Sequence, residues 1–243
     1  MRAWWAQTRA EVRMTISRGE TLLLTVGIPV LLLAFFSLAH VVTTPTKSRI
    51  DFVAPGILAL CVLSTSLVAL SIATGFERSF GVLRRLHVTP LGRRRLVGAK
   101  VAGVLVTEVI QVALLGVAAL VLGWHPRGGV NGAASVVGLL VLGSAGCAGI
   151  GLSLAGQLRA EVNLAASNGL YLVLLLVSGI VVPLSTMPLP IGRVAVGLPP
   201  GAMAEGLHRV LGQGIAPTIT DWIVLIVWAV LAPLGAARTF RFD

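Results

Sequence analysis

The chain is expected to be an all-α membrane protein with six transmembrane helices. Three observations lead there. Its 243 residues are 56% hydrophobic and only 12% charged, with a mean hydropathy of +0.94, a balance outside that of soluble domains. Several apolar runs reach the roughly 20 residues a helix needs to cross a bilayer, and they are far too long for barrel strands. The charges that remain gather near the ends of those runs. In a soluble protein the net charge of +10 would point to nucleic acid. Placed at span ends, it points instead to anionic lipid headgroups and to topology, with no nucleic-acid partner.

The elements follow in order. Residues 1–19 place Trp4, Trp5, Thr8, Val12 and Ile16 along one strip at helical spacing, with Arg2, Arg9 and Arg13 beside it. That pattern suits a helix lying in the membrane interface, its arginines reaching the phosphates; a plain basic leader that sets topology is the alternative. Apolar runs then predict spans at about 21–42, 52–75, 97–123, 131–157, 164–186 and 220–237. Pro29 in the first is tolerable where neighbouring helices take up the freed carbonyl. Both cysteines, Cys61 and Cys147, fall inside apolar runs and read as small buried hydrophobes, not a disulfide or metal pair.

Between spans two and three lies a basic insert, 76–96, whose first part follows a helical pattern. Phe76, Phe80 and Leu83 share one face, flanked by Leu86, and Glu77, Arg78, Arg84 and Arg85 take the opposite one. The expected element is an amphipathic helix lying flat on the membrane surface. Thr89-Pro90 ends it, since the residue before proline disfavours helix. A lipid-anchoring loop fits the pattern equally well.

Span three carries a lone acidic residue, Glu108, about 12 Å along the helix beyond Lys100 at the inner end at 1.5 Å per residue, with Gln111 one turn on. A carboxylate at such depth suggests function by default, such as a substrate path for cations or proton movement. An interhelical hydrogen bond is the plainer role. Span four carries Gly143, Gly146, Gly149, Gly151 and Gly156; small residues let helices approach closely, within the bundle or at a dimer contact. The stretch 183–219 is rich in proline yet mostly apolar, and is expected to form two short helices or a re-entrant hairpin that dips into the membrane before span six.

Basic residues set the orientation. With both termini in the cytoplasm of a multi-pass plasma-membrane protein, the inner segments hold Arg2, Arg9, Arg13, Arg18, Arg78, Arg84, Arg85, Arg93, Arg94, Arg95, Lys100, Arg159, Arg238 and Arg241, whereas the outer ones hold only Lys47, Arg49, Arg127, Arg193 and Arg209. No stretch has the form G-x-x-x-x-G-K-[ST], so the chain has no P-loop for ATP. Four histidines, His40, His87, His125 and His208, are scattered, without an H-E-x-x-H pair, and Ser144 and Ser153 lack a His–Asp pattern. No catalytic or metal constellation is evident.

Glu77-Arg78, Gly81, Leu83, Leu86 and Thr89-Pro90-Leu91, followed by Lys100, resemble the signature of type-2 ABC exporter permeases, nearest the daunorubicin-type drug-export branch. The resemblance covers the whole chain, 1–243, as a single permease domain. It implies that the insert is a coupling helix seated in a cleft of a separate cytoplasmic ABC ATPase, which binds the ATP and Mg; no cofactor is expected in this chain. Glu77, Arg78, Gly81, Leu83, Arg84, Arg85, Thr89 and Pro90 would make that contact. The resemblance also implies pairing with a second permease, identical or paralogous. The expected function is ATP-driven export of a hydrophobic small molecule (drug, antibiotic or lipid), with ATP hydrolysis outside this chain. Rival readings are a proton-coupled secondary transporter using Glu108 and an intramembrane lipid-modifying enzyme.

Overall fold

A computed structural model describes residues 8–9, 19–38, 49–83 and 92–239. Among them, all regular structure is helical. Helix α1 is Gly19–Leu38. Helix α2 runs over Ile50–Ser79, 30 residues, with a π-turn at Ser64–Ala69 in its middle. Helices α3, Gly92–Val121, α4, Gly129–Gln157, and α5, Ala160–Val177, follow. Two short helices, α6 at Leu189–Val196 and α7 at Pro199–Leu207, lead through a π-turn at His208–Gln213 to α8, Ile219–Thr239. Of the 1–19 segment, Thr8 and Arg9 are helical and Gly19 opens α1; its other residues lie outside the described ones.

Helix α2 is the axis of the bundle. Every residue from Ile50 to Leu63 is buried, so it is ringed by protein. Helix α1 packs on α2 and α3, and the most extensive helix pair is α4 with α8. The α4 glycines explain that pair. A Cβ on Gly146 would meet Trp228 at 3.2 Å, one on Gly149 would collide with the backbone at Ala232 and Pro233, and one on Gly151 would sit 2.5 Å from the Leu67 carbonyl oxygen of α2. All three glycines are buried. The small residues therefore serve packing within one copy of the chain.

Local chemistry shapes α2. Pro55 has no N–H for the Asp51 carbonyl four residues back, and a Cβ on Gly212 would lie 2.9 Å from that same carbonyl oxygen. Further along, the Ser64 hydroxyl donates to the Cys61 carbonyl at 2.9 Å and the Ser66 hydroxyl to the Val62 carbonyl at 2.6 Å. Hydroxyls that bond back onto the helix compete with its ladder, and the π-turn begins at Ser64.

Five helical stretches are long and apolar enough to cross a membrane: Ile50–Ser79, Arg95–Val121, Gly129–Gln157, Ala160–Val177 and Ile219–Thr239. The described part of α1 adds a shorter apolar stretch, Gly27–Ser37. Large apolar side chains face outward from these helices, among them Val109, Val117, Val173, Leu176, Ile223 and Val230. Such a band suits acyl chains and would be anomalous against water.

Helix ends depart from the hydropathy reading in three places. Helix α2 continues to Ser79, past the expected 75, and α3 begins at Gly92, ahead of 97. Helix α5 stops at Val177, well short of 186, because Ser178 leads into Gly179 at φ +77, a left-handed turn that a helix cannot pass through. The expected 76–91 helix is interrupted in the same way. Phe80 and Gly81 form a turn with Gly81 at φ +71, after which Val82 and Leu83 resume helical geometry. Phe80 is 76% exposed and Leu83 fully buried, so they do not share one face.

The 183–219 stretch gathers at the end of the bundle where α2 begins. Eight of the nine α7 residues are buried, and α7 contacts α2, α4 and α8. The other end, where α2 stops at Ser79, carries the insert.

Candidate functional site

At the insert end, α2 is tied to three other helices. The Lys100 ammonium of α3 meets the Glu77 carboxylate at 2.7 Å, with the lysine side chain almost wholly buried. The Arg78 guanidinium donates to the Ala155 carbonyl of α4 at 2.9 Å. Ala155 lies in the last turn of α4, whose carbonyls lack helical donors and carry negative partial charge. About two helical turns back along α2, the Ser71 hydroxyl donates to Asn163 Oδ1 of α5 at 2.9 Å, and Asn163 Nδ2 donates to the Ser71 carbonyl at 2.9 Å. The Ser167 hydroxyl, also on α5, donates to Ser71 Oγ at 2.9 Å. All three residues are fully buried.

Beyond these ties, Phe76 stacks on Phe80 with ring centroids 6.1 Å apart. Phe80 and Val82 project outward on either side of Gly81, which has open space where a side chain would be. Glu77, Arg78 and Leu83 are thus held in the bundle, and Gly81 sits at the turn. Arg84, Arg85, Thr89 and Pro90 lie outside the described residues.

Glu108 and Gln111 occupy a second polar cluster in mid-bundle. Glu108 is 4% exposed and Gln111 fully buried. Gln111 Oε1 accepts from the Thr65 hydroxyl at 3.0 Å and from Cys61 Sγ at 3.4 Å, tying α3 to α2 beside the π-turn. Ser144 of α4 faces Glu108. Among the described residues, both Glu108 oxygens, Gln111 Nε2 and Ser144 Oγ make no hydrogen bond. Both side chains are enclosed by the surrounding helices in this packing.

A cavity of about 770 Å³ opens at the opposite end, where Asp51, Glu205, His208 and Asp221 converge with Phe52, Leu184 and Met187. The size suits a drug-like molecule. Asp51, Asp221 and His208 each have a local partner. Asp51 pairs with Arg127 at 3.4 Å, and Asp221 accepts from the Thr218 amide at 2.7 Å, starting α8. His208 stacks on Phe52 at 4.4 Å, with Nδ1 2.8 Å from the Ala204 carbonyl and Nε2 3.0 Å from the Phe52 carbonyl. Burial lowers its pKa, against the pull of the two carbonyls. Burial raises the Glu205 carboxyl, with Asp221 adding to the rise and Arg209 opposing it. Among the described residues no group of three or more His, Cys, Asp or Glu is arranged for a metal ion.

Sequence reasoning did not single out Ser71, Asn163 or Ser167. The available signal was Asn163 and Ser167 four residues apart at the start of an apolar run, a spacing that puts both on one helix face. No curated protein matches the chain. The family described as ABC-2 family transporter protein matches residues 37–238, more than four-fifths of the chain, and its members work with an ATPase partner. A bundle of membrane-length helices with the family's pattern across nearly all of it identifies the chain as a member of the ABC-2 transporter family, a permease of the ABC transporter type.

Proposed function

We propose that this permease is the membrane subunit of an ATP-driven exporter of a hydrophobic small molecule, a drug, antibiotic or lipid, and that two permease copies, identical or paralogous, dock on cytoplasmic ABC ATPase subunits. The observation that carries the reading is the insert end of α2. An exposed apolar turn, Phe80-Gly81-Val82, is mounted on a helix end that Glu77–Lys100 and Arg78–Ala155 hold firmly to the bundle. A docking knob must be exposed to be grasped and anchored to transmit force. Phe80, Gly81 and Val82, with Arg84, Arg85, Thr89 and Pro90 beyond, would enter the ATPase cleft. Glu77, Arg78 and Leu83 would seat them. Both termini would be cytoplasmic, and the 183–219 end with its cavity would face outward. Glu108 and Gln111 are closed off between α2, α3 and α4, so a substrate path through them requires those helices to part.

The test is co-purification with the cognate ATPase, followed by substrate-stimulated ATP hydrolysis and transport in liposomes. Phe80→Ala is expected to weaken ATPase association by about thirtyfold, the size of an interface hot spot near 2 kcal/mol, and Arg85→Ala to weaken it less. Unchanged association in both variants would remove the insert from the interface. Transport that survives blocked ATP hydrolysis but collapses with the pH gradient, and that Glu108→Gln abolishes, would replace the reading with a proton-coupled transporter.

A further inference from the structure

The π-turn at Ser64–Ala69 divides α2 into two parts with different attachments. The part toward the cavity packs mostly among apolar side chains, with polar links from Asp51 to Arg127, from the Phe52 carbonyl to His208 and from Cys61 to Gln111. The insert-end part, Leu70–Ser79, is tied by polar groups to α3, α4 and α5. In lipid, the apolar contacts of a helix can be exchanged for acyl chains at little cost, whereas a buried polar bond has no such substitute. The polar ties therefore decide which helices follow when the end of α2 is moved.

Asn163 makes the tie to α5, and it does so in both directions. Its Oδ1 accepts from the Ser71 hydroxyl while its Nδ2 donates to the Ser71 carbonyl, both at 2.9 Å. The second bond uses a helical carbonyl's spare lone pair, and it needs close approach to the α2 backbone. Gly75 supplies the room: a Cβ there would lie 2.7 Å from Asn163 Nδ2. A glycine inside a helix weakens it relative to alanine, and here it has a specific use. Ser167 completes the knot from the next turn of α5.

We infer that Asn163, seated against Ser71 and Gly75, is the positioning residue that makes α5 move with the insert end of α2. Displacement imposed at the Phe80 turn thus carries α5 along with the end of α2, and the π-turn absorbs the bend. The inference rests on the docking role proposed above for the insert.

Its test separates the two. Asn163→Leu removes both bonds at similar volume, and Gly75→Ala pushes the amide away while leaving Asn163 in place. Each variant is purified with the ATPase and checked for thermal stability and for binding of the ATPase. Transport per ATP hydrolysed is then measured, together with the change, between the nucleotide-free and ATP-bound complexes, in the distance between spin labels at Ser79 and Val162, both exposed positions. In the wild-type complex that distance is expected to stay constant. In both variants it is expected to change on ATP binding, with ATPase binding intact and transport per ATP lowered about tenfold, the scale of a coupling energy in the usual 1–3 kcal/mol range. Wild-type coupling and a constant distance in either folded variant would overturn the role of Asn163. Failure of the unmodified chain to bind the ATPase would instead overturn the docking proposal.

Discussion

His208 shows how a single side chain can set a pH response at one end of the bundle. A neutral imidazole has one N–H to give, yet both ring nitrogens face carbonyl oxygens. Burial nevertheless lowers its pKa below the ordinary value, the two carbonyls opposing. The sign follows by linkage. The unfolded chain binds a proton at a higher pH than the folded one, so the stabilisation is present above the ordinary histidine pKa. It is lost as pH falls through the folded value. Glu205, raised by burial, acts in the opposite sense, its stabilisation being lost as pH rises through its folded pKa. Asp51, Asp221, Arg127, Arg193 and Arg209 lie around the same cavity or its rim. We expect the thermal midpoint of the purified wild-type protein to fall between pH 7.5 and about 5.5, and to fall less in His208→Gln. Equal slopes for the two proteins would show that another group governs the response.

At the scale of the element, the close contact of α4 with α8 and α2 is the feature most exposed to test. Gly149→Val would force the backbone of α8 away at Pro233, and overpacking of this kind costs about 1–3 kcal/mol. Gly169→Val on α5, where nothing lies within 4 Å, is the control. Chemical denaturation in detergent should show a loss for the first variant well beyond that of the second; matching losses would mean that the α4–α8 contact is looser than the geometry indicates. The helices themselves were legible as apolar runs, and the mid-membrane Glu108 stood out by its charge. Their ends were less legible, for physical reasons. Hydropathy stops counting α2 at Gly75 because the residues beyond are polar, but Glu77 and Arg78 stay helical through partners on α3 and α4 that are remote in sequence. It carries α5 on through Gly179 because apolar residues continue there while the backbone turns away. The Ser71–Asn163–Ser167 knot was missed for the first reason: small polar side chains carry little hydropathic weight, and their partners are about 90 positions apart.

For the whole molecule, the open quantity is which end of the bundle faces the cytoplasm. The arginine distribution would put the Phe80 end inside and the Ile215 end outside. Single cysteines at Phe80 and at Ile215, both exposed, would decide it with a membrane-impermeant maleimide. Ile215→Cys should label in intact cells and Phe80→Cys only after permeabilisation; the reverse pattern would invert the topology. The native thiols do not interfere, because Cys61 and Cys147 are the only cysteines of the chain and both are fully enclosed. Close packing around two small side chains thus makes the natural sequence its own silent background for chemical probes, so that every introduced reporter can be watched in an otherwise unaltered protein.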